Sequence, residues 1–212
     1  MAAKLFKALL WTVGIVLVVG VVLRLALFRP WVIPADPVLA ASIAPTLAGG
    51  DRVLVLIRGT PGFGDLVRCP DPEEPTRWVV GRIVGVGGDK VVVEEDQLTV
   101  NNTRYLGESA CAERKTKVIH PFTGSELDLY CDIVTMGGGW HYRGTGAGPK
   151  QSRVAVDVPD GKVYLLSDNR GLHDDSRDFG VVEQSTCKEQ IVLRLTSKAG
   201  WLDDKQRMTF IH

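Results

Sequence analysis

Residues 78–101 have the sequence WVVGRIVGVGGDKVVVEEDQLTVN. Residues 78–86 are almost wholly apolar and rich in valine and isoleucine, which predicts a buried strand. Two glycines and Asp89 follow and predict a turn. Residues 90–94 and 97–101 then flank a short polar break, which predicts a hairpin. This stretch indicates a mainly β fold.

Other short strands are predicted on both sides of this stretch, at residues 53–57, 66–69, 162–166 and 190–195. Residues 103–155 differ from the rest because charges rise and glycine clusters interrupt the pattern. We therefore expect an inserted smaller β subdomain there. The expected divisions are an N-terminal segment at 1–30, a larger β domain at 31–102 and 156–212, and the insertion at 103–155.

Length and charge limit the classes of function. The chain has 212 residues, with 25 Lys and Arg against 25 Asp and Glu. Such a length, once an anchor is set aside, suits one medium-sized domain. No basic stripe is evident, so a nucleic-acid partner is not expected.

The four cysteines are Cys69, Cys111, Cys131 and Cys187. None has the spacing of a zinc site, so no metal is expected. In an oxidising compartment two disulfides can form, and four cysteines allow three pairings. Cys111 with Cys131 is the preferred pair because both lie in the insertion. The alternative is four free thiols.

An apolar segment stands near the start of the chain. Residues 8–28 are apolar except for Thr12 and Arg24, and about 20 helical residues suffice to cross a bilayer. Pro30 ends the helix. The alternative is a cleaved signal peptide with small residues at 38–41, but the apolar run is long for that role. We therefore expect a single-pass anchor in a lipid bilayer.

Four motifs occur in order behind this segment: residues 42–47 (SIAPTL), 64–67 (GDLV), 82–89 (RIVGVGGD) and 167–180 (SDNRGLHDDSRDFG). Together they resemble the boxes of the bacterial type I signal (leader) peptidase family. The resemblance covers residues 1–100 and 160–200. It implies a cytoplasmic tip and membrane anchor at 1–30, and a catalytic domain of coiled antiparallel sheets at 31–102 and 156–212. This domain would lie on the periplasmic side of the inner membrane, with preprotein signal peptides as partners. The resemblance implies no cofactor, and we expect a monomer.

The resemblance also implies roles for individual residues. Ser42 falls on the family's nucleophile, and Ile43, Arg82 and Ile83 fall on positions expected to bind substrate. A serine hydroxyl needs a neighbouring base to take its proton, and the family uses a neutral lysine. That lysine falls here on Gly81, and the hydroxyl often found two residues before the nucleophile falls on Ala40.

One replacement suggests a relocated base. The family's serine beside the catalytic lysine falls on His173, whose imidazole can accept a proton. Asp174 or Asp175 is close enough in sequence to orient the ring, with Asp175 the preferred candidate. The alternative is that His173 is a partly exposed loop residue. Arg82 cannot replace the lysine, since a guanidinium stays protonated.

The remaining charged residues of the last motif have a structural interpretation. Asp168, Arg170 and Arg177 alternate in a glycine-bounded loop, which favours a buried network of ion pairs and hydrogen bonds beneath the site.

The expected function is endoproteolytic removal of signal peptides after an Ala-x-Ala-like segment, with Ser42 as nucleophile. A non-catalytic relative that binds signal peptides or partner membrane proteins is the alternative, favoured by Gly81 and Ala40. A processing protease with a dedicated substrate is a third possibility.

Overall fold

A computed structural model describes residues 2–149 and 151–212, without the side chains of residues 2, 3, 5, 8, 23 and 25. Within that range the helices are α1 (Ala2–Ala26), α2 (Pro37–Ser42) and α3 (Ser176–Phe179), with one 3₁₀ turn at Gln184–Thr186. All other regular structure is β, as the sequence predicts.

The largest sheet holds eight antiparallel strands in the described residues, in the order β1-β2-β14-β3-β4-β12-β13, with β15 paired to β14. These strands are β1 (Phe28–Val32), β2 (Arg52–Leu56), β3 (Leu66–Pro70), β4 (Trp78–Val86), β12 (Lys162–Leu166), β13 (Val182–Glu183), β14 (Glu189–Thr196) and β15 (Thr209–Phe210). The strands predicted from the sequence at 53–57, 66–69, 78–86, 162–166 and 190–195 all belong to this sheet.

Two smaller sheets use the middle of the chain. One has the order β11-β5-β6-β7, built from β5 (Lys90–Glu94), β6 (Gln97–Val100), β7 (Thr103–Tyr105) and β11 (Val154–Asp157). It contains the predicted hairpin. The other has the order β10-β9-β8, built from β8 (Ser109–Ile119), β9 (Glu126–Met136) and β10 (Gly139–Thr145). The two ends of the predicted insertion therefore pair with the hairpin, and residues 109–145 form the separate sheet.

Strand β4 separates two parts of the core. Val80 packs in one cluster with Leu39 and Ile43 of the α2 region, while Val79 and Ile83 pack on the opposite face with Leu165. This division follows from the alternation of side chains along a strand. It fixes which residues of β4 face α2.

Both disulfides join segments distant in sequence. Cys111 pairs with Cys131, as predicted, with Cα atoms 5.5 Å apart. Cys69 pairs with Cys187 across 118 residues, with Cα atoms 4.7 Å apart. No cysteine in the described chain is free, so the alternative of four thiols was wrong.

The middle of the first helix is exposed. Every residue from 9 to 22 is solvent-exposed. Among the residues whose side chains the structure describes, no helix is both long and apolar enough to be a membrane span. The anchor predicted at 8–28 includes the side chains at 8, 23 and 25, which lie outside the described residues, and it is not confirmed.

The two elements between α1 and Ile43 were not predicted. Residues 28–32 form β1, which pairs with β2 through Pro30↔Leu54. Proline is tolerated there because β1 is an edge strand. The linker before Ser42 forms α2, which begins after Asp36.

Candidate active site

Ser42 is the last residue of α2. The helix begins where Asp36 accepts hydrogen bonds from the backbone N–H groups of Val38 (2.8 Å) and Leu39 (3.0 Å), with Pro37 in the first turn. Ser42 has no exposed surface. Its hydroxyl donates to the backbone oxygen of Leu39 at 3.0 Å. In this arrangement the candidate nucleophile is engaged by its own helix.

Asn169 holds the backbone around Ser42. Its N–H donates to the oxygen of Ser42 at 3.0 Å, and its side-chain Nδ2 donates to the oxygen of Ala41 at 2.9 Å. The first and last of the four motifs, separated by more than 120 residues, are therefore in direct contact at the candidate nucleophile.

Gly81 lies on β4 opposite Val67. It shares a face with Val79 and Ile83, whereas the α2 region packs with Val80 on the other face. A Cβ at this position would lie 3.2 Å from the Leu165 Cβ. A side chain added at Gly81 would therefore need Leu165 to shift slightly.

His173 is 9% exposed at its side chain, and its Nδ1 lies 2.7 Å from Oδ2 of Asp178. An ionised carboxylate only accepts hydrogen bonds, so the contact places a proton on Nδ1 and leaves Nε2 as the acceptor. Among the described residues no hydrogen bond joins His173 to Ser42. The structure thus brings His173 to a carboxylate but does not bring it to the serine hydroxyl.

Asp175, which was expected to orient the His173 ring, binds other groups instead. Its buried carboxylate caps α3, accepting from the backbone N–H of Arg177 (3.0 Å) and Ser167 (2.7 Å). It also accepts two bonds from the Arg177 guanidinium, at 2.9 and 2.7 Å. Burial alone would raise the pKa of Asp175, but the Arg177 guanidinium lowers it below its usual value. The His173 ring contacts Asp178 instead.

The sequence contains a pattern that could have identified Asp178 as the partner of His173. Asp175 and Asp178 form a capping box at the start of α3, a spacing that a sequence can reveal. The box turns the Asp178 carboxylate back toward the loop that contains His173. One potential metal-ligand atom from each of His173, Asp175 and Asp178 lies within 4.8 Å of the other two. Since the Arg177 guanidinium already neutralises Asp175, the group favours a histidine–carboxylate pair over a cation site.

A buried ion pair lies beneath the site. Arg82 donates to Asp168 through Nε (2.9 Å) and Nη2 (3.1 Å), and through Nη1 to the Gly64 oxygen at 2.8 Å. Thr46, four residues after Ser42, donates to the same carboxylate at 2.6 Å. Burial acts to raise the pKa of Asp168, but the charge of Arg82 and the hydrogen bonds from Arg82 and Thr46 together lower it. The pair fixes the segment after Ser42 against β4.

Arg170 and Arg177 extend this network. Arg170 Nη1 donates to the Ser167 oxygen at 2.7 Å, and Arg177 Nη1 donates to the Arg170 oxygen at 2.8 Å. Both arginines lie in the glycine-bounded loop, which they tie to its own backbone.

The three residues expected to bind substrate are all buried. Ile43 is 1% exposed, and Arg82 and Ile83 have no exposed surface. Ile43 packs in the cluster of α2, and Ile83 packs on the opposite face of β4. None of these side chains reaches solvent in this arrangement.

His141 was singled out by no sequence signal. It lies on β10, is 3% exposed, and its Nε2 has no hydrogen-bond partner. Burial, reinforced by the charge of Arg82, lowers the pKa of His141 to about 2. The imidazole is therefore uncharged and adds no positive charge beside the Arg82–Asp168 pair.

Comparison with known proteins gives consistent matches. The sequence model described as "Signal peptidase, peptidase S26" matches residues 5–196. Signal peptidase I U of Bacillus subtilis (strain 168) is 29% identical over 160 residues, which cover 74% of this chain and 68% of that protein. Signal peptidase IB of Staphylococcus aureus (strain N315) is 29% identical over 161 residues, covering 72% of each. A solved signal peptidase I of Enterococcus faecalis V583 is 26% identical and covers 63% of this chain and 98% of that chain, with a TM-score of 0.38.

Proposed function

Because this chain belongs to the signal peptidase family, peptidase S26, we propose that it removes N-terminal signal peptides from exported preproteins after small, Ala-x-Ala-like segments, with Ser42 as nucleophile. The observation that supports this most directly is the contact between Asn169 and the backbone of Ser42 and Ala41. It brings two of the family's motifs together at the candidate nucleophile.

The chemistry requires a base for Ser42. As the Ser42 Oγ bonds to the scissile carbonyl carbon, its proton passes to Nε2 of His173, since Nδ1 is held by Asp178. The same proton then goes to the leaving amine as the C–N bond breaks. Water attacks the resulting ester, and Ser42 regains its proton. For this sequence the Ser42 hydroxyl must exchange its bond with Leu39 for one with His173.

Location outside the cytoplasm is part of the proposal. Both disulfides join cysteines that are buried in the body, and such bonds persist in oxidising compartments. Residues 9–22 of α1 expose valine, leucine and isoleucine on all sides, which supports contact with a lipid bilayer. The substrate would then reach the body at the outer surface of the inner membrane.

A second function is favoured by a specific observation. Gly81 offers no base, and the Ser42 hydroxyl is engaged by the Leu39 oxygen. A chain fixed in this arrangement would bind signal peptides without cutting them. The two candidates share the ligand and differ only in the reaction.

The test measures cutting and binding on the same samples. Detergent-solubilised chain is incubated with a preprotein that contains an Ala-x-Ala site, and binding of a fluorescent signal peptide is followed in parallel. We expect cutting that falls at least about 10³-fold in Ser42→Ala, with binding retained. Ser185→Ala is the matched control, since Ser185 is exposed and outside the site.

Each outcome distinguishes the candidates. Binding without cutting by the unaltered chain selects the second function. Absence of both binding and cutting contradicts the proposal.

A further inference from the structure

The last residues of the described chain run as an extended segment along β14. Phe210 pairs with Leu193, and the N–H of Ile211 donates to the Val192 oxygen at 3.0 Å. β3 pairs with β14 only at Glu189 and Gln190, so the remainder of that edge is open to another strand. Residues 209–212, called here the terminal segment, occupy it.

The terminal segment contacts the elements of the candidate site. Ile211 packs against the core cluster that contains Leu39 and Ile43. The backbone oxygen of His212 accepts a hydrogen bond from Arg82 Nη1. The His212 ring lies 5.0 Å from the Trp140 ring. One extended segment therefore spans β14, the buried Arg82 and β10.

Arg82 is the most informative of these contacts. Its guanidinium is completely buried, and Nε and Nη2 each donate one hydrogen bond to Asp168. Nη1 carries two hydrogens, of which one is donated to Gly64 and the other to His212. A buried N–H without an acceptor is unfavourable. The site thus contains a donor directed at a backbone oxygen, which an extended peptide supplies.

Among the described residues, the occupant pairs with no strand other than β14. β15 is two residues long, Phe210 is 73% exposed, and His212 is exposed. Short strands with exposed side chains open at small free energy. The terminal segment can therefore dissociate while β14, Arg82 and Trp140 stay in place.

We propose that the open edge of β14, the Arg82 Nη1 and Trp140 form a groove for an extended peptide with an aliphatic residue, and that the terminal segment occupies it in cis. A strand edge supplies backbone hydrogen bonds, and the cluster around Leu39 and Ile43 receives the aliphatic side chain. Identification of the incoming peptide as a signal peptide rests on the proposed function. The occupation of the groove by the terminal segment does not rest on the proposed function.

The groove is connected to Ser42. Asp168, the partner of Arg82, also accepts the hydroxyl of Thr46, which is four residues from Ser42 on the same segment. A peptide that replaces the terminal segment would therefore lie against the floor of the candidate active site. The terminal segment limits access to that site until it is displaced.

The experiment uses a fluorescent peptide with the sequence of residues 207–212 and the detergent-solubilised chain. If the terminal segment occupies its groove about 90% of the time, the apparent affinity for an added peptide falls about tenfold. We expect the peptide to bind a chain lacking residues 209–212 about tenfold more tightly than the unaltered chain. Equal binding to both, or binding to neither, overturns the proposal.

A matched pair of point variants guards against misfolding of the shortened chain. Ile211→Asp removes the aliphatic contact and should also open the groove to the peptide. Phe210→Asp alters the exposed neighbour and should leave binding as in the unaltered chain. Equal effects of the two changes would contradict the assigned contact, and thermal melting of each variant verifies that it is folded.

A signal peptide added as competitor then tests the ligand class. Displacement of the fluorescent peptide from the shortened chain supports a shared groove, whether or not the chain cuts. Failure to compete, while the peptide of residues 207–212 still binds, overturns the groove's assignment to substrate. Since no cleavage is read, loss of the proposed reaction would not alter these results.

Discussion

His173 and Asp178 form a hydrogen-bonded pair, with Nδ1 of the ring 2.7 Å from Oδ2 of the carboxylate. Asp178 also accepts from the backbone N–H of Asp175 at 3.1 Å, as the second half of the capping box. The carboxylate is therefore fixed by the start of α3, and it fixes the ring in turn. This relationship leaves Nε2 of His173 as the atom that can accept a proton.

Asp178→Asn tests whether this pair acts in catalysis. An amide at this position can present its NH₂ group to Nδ1 and stabilise the wrong tautomer, so we expect cutting of the preprotein to fall by about 10²–10⁴-fold. Initial rates of cleavage measure the effect. Asp157→Asn, which changes an exposed aspartate on β11, should cut normally. An Asp178→Asn variant as active as the unaltered chain would remove His173 from the mechanism.

Asp168→Ala tests the buried pair with Arg82. Removal of the carboxylate leaves a buried guanidinium without its partner and frees the Thr46 hydroxyl, so we expect the free energy of unfolding to fall by about 3–5 kcal/mol. Urea denaturation provides the measurement. Asp128→Ala breaks a surface contact with Lys115 and should leave the midpoint unchanged. Similar effects of the two changes would show that burial does not determine the strength of the Arg82–Asp168 pair.

The raised pKa of Asp174 predicts that the stability of the chain depends on pH. Burial raises the pKa of Asp174 to about 6, above the value of about 3.9 for an unfolded chain. The native state therefore binds more protons between about pH 4 and pH 6. This contribution to stability is fully present below pH 4 and is lost as the pH rises through 6.

Asp174→Asn stays neutral across this range. Relative to the unaltered chain, the variant should gain stability between pH 4 and pH 6 and show a constant difference above pH 7. Denaturation midpoints at five pH values measure this difference. The ion pair of Asp174 with Arg77, at 3.3 Å, is lost at every pH in the variant. A difference that does not change with pH would contradict the raised pKa.

The two disulfides should differ in their effect on stability. The Cys69–Cys187 bond closes 118 residues and the Cys111–Cys131 bond closes 20. In the chain-entropy account these loops correspond to about 5 and about 3 kcal/mol. Replacing both cysteines of a pair by alanine should therefore destabilise the chain more for Cys69 and Cys187. The reverse order in urea denaturation would indicate that strain or residual structure outweighs loop closure.

Local sequence patterns predicted five of the eight strands of the largest sheet and the hairpin β5–β6. Residues 78–101 formed β4 and the following hairpin as expected, because apolar alternation and turn glycines act over a few residues. The Cys111–Cys131 bond was also expected, since both cysteines lie in the insertion.

Contacts between distant segments were harder to predict. The helix that ends at Ser42 depends on Asp36 as its cap, and no helix was predicted there from the sequence. Asp175 was predicted to orient the His173 ring, but Asp178 is the residue that contacts it. Sequence distance alone does not show that the Arg177 guanidinium already binds the Asp175 carboxylate. The position of residues 209–212 on Arg82 depends on a separation of 130 residues and has no local signal.

Cleavage of a preprotein with an Ala-x-Ala site by the unaltered chain and by Ser42→Ala tests the central claim most directly, with product masses read by mass spectrometry. The account predicts a product that ends at the small residue, and its loss in Ser42→Ala while Ser185→Ala still forms it. An equal yield of that product from Ser42→Ala, or no product from the unaltered chain, would contradict Ser42 as the nucleophile of a signal peptidase.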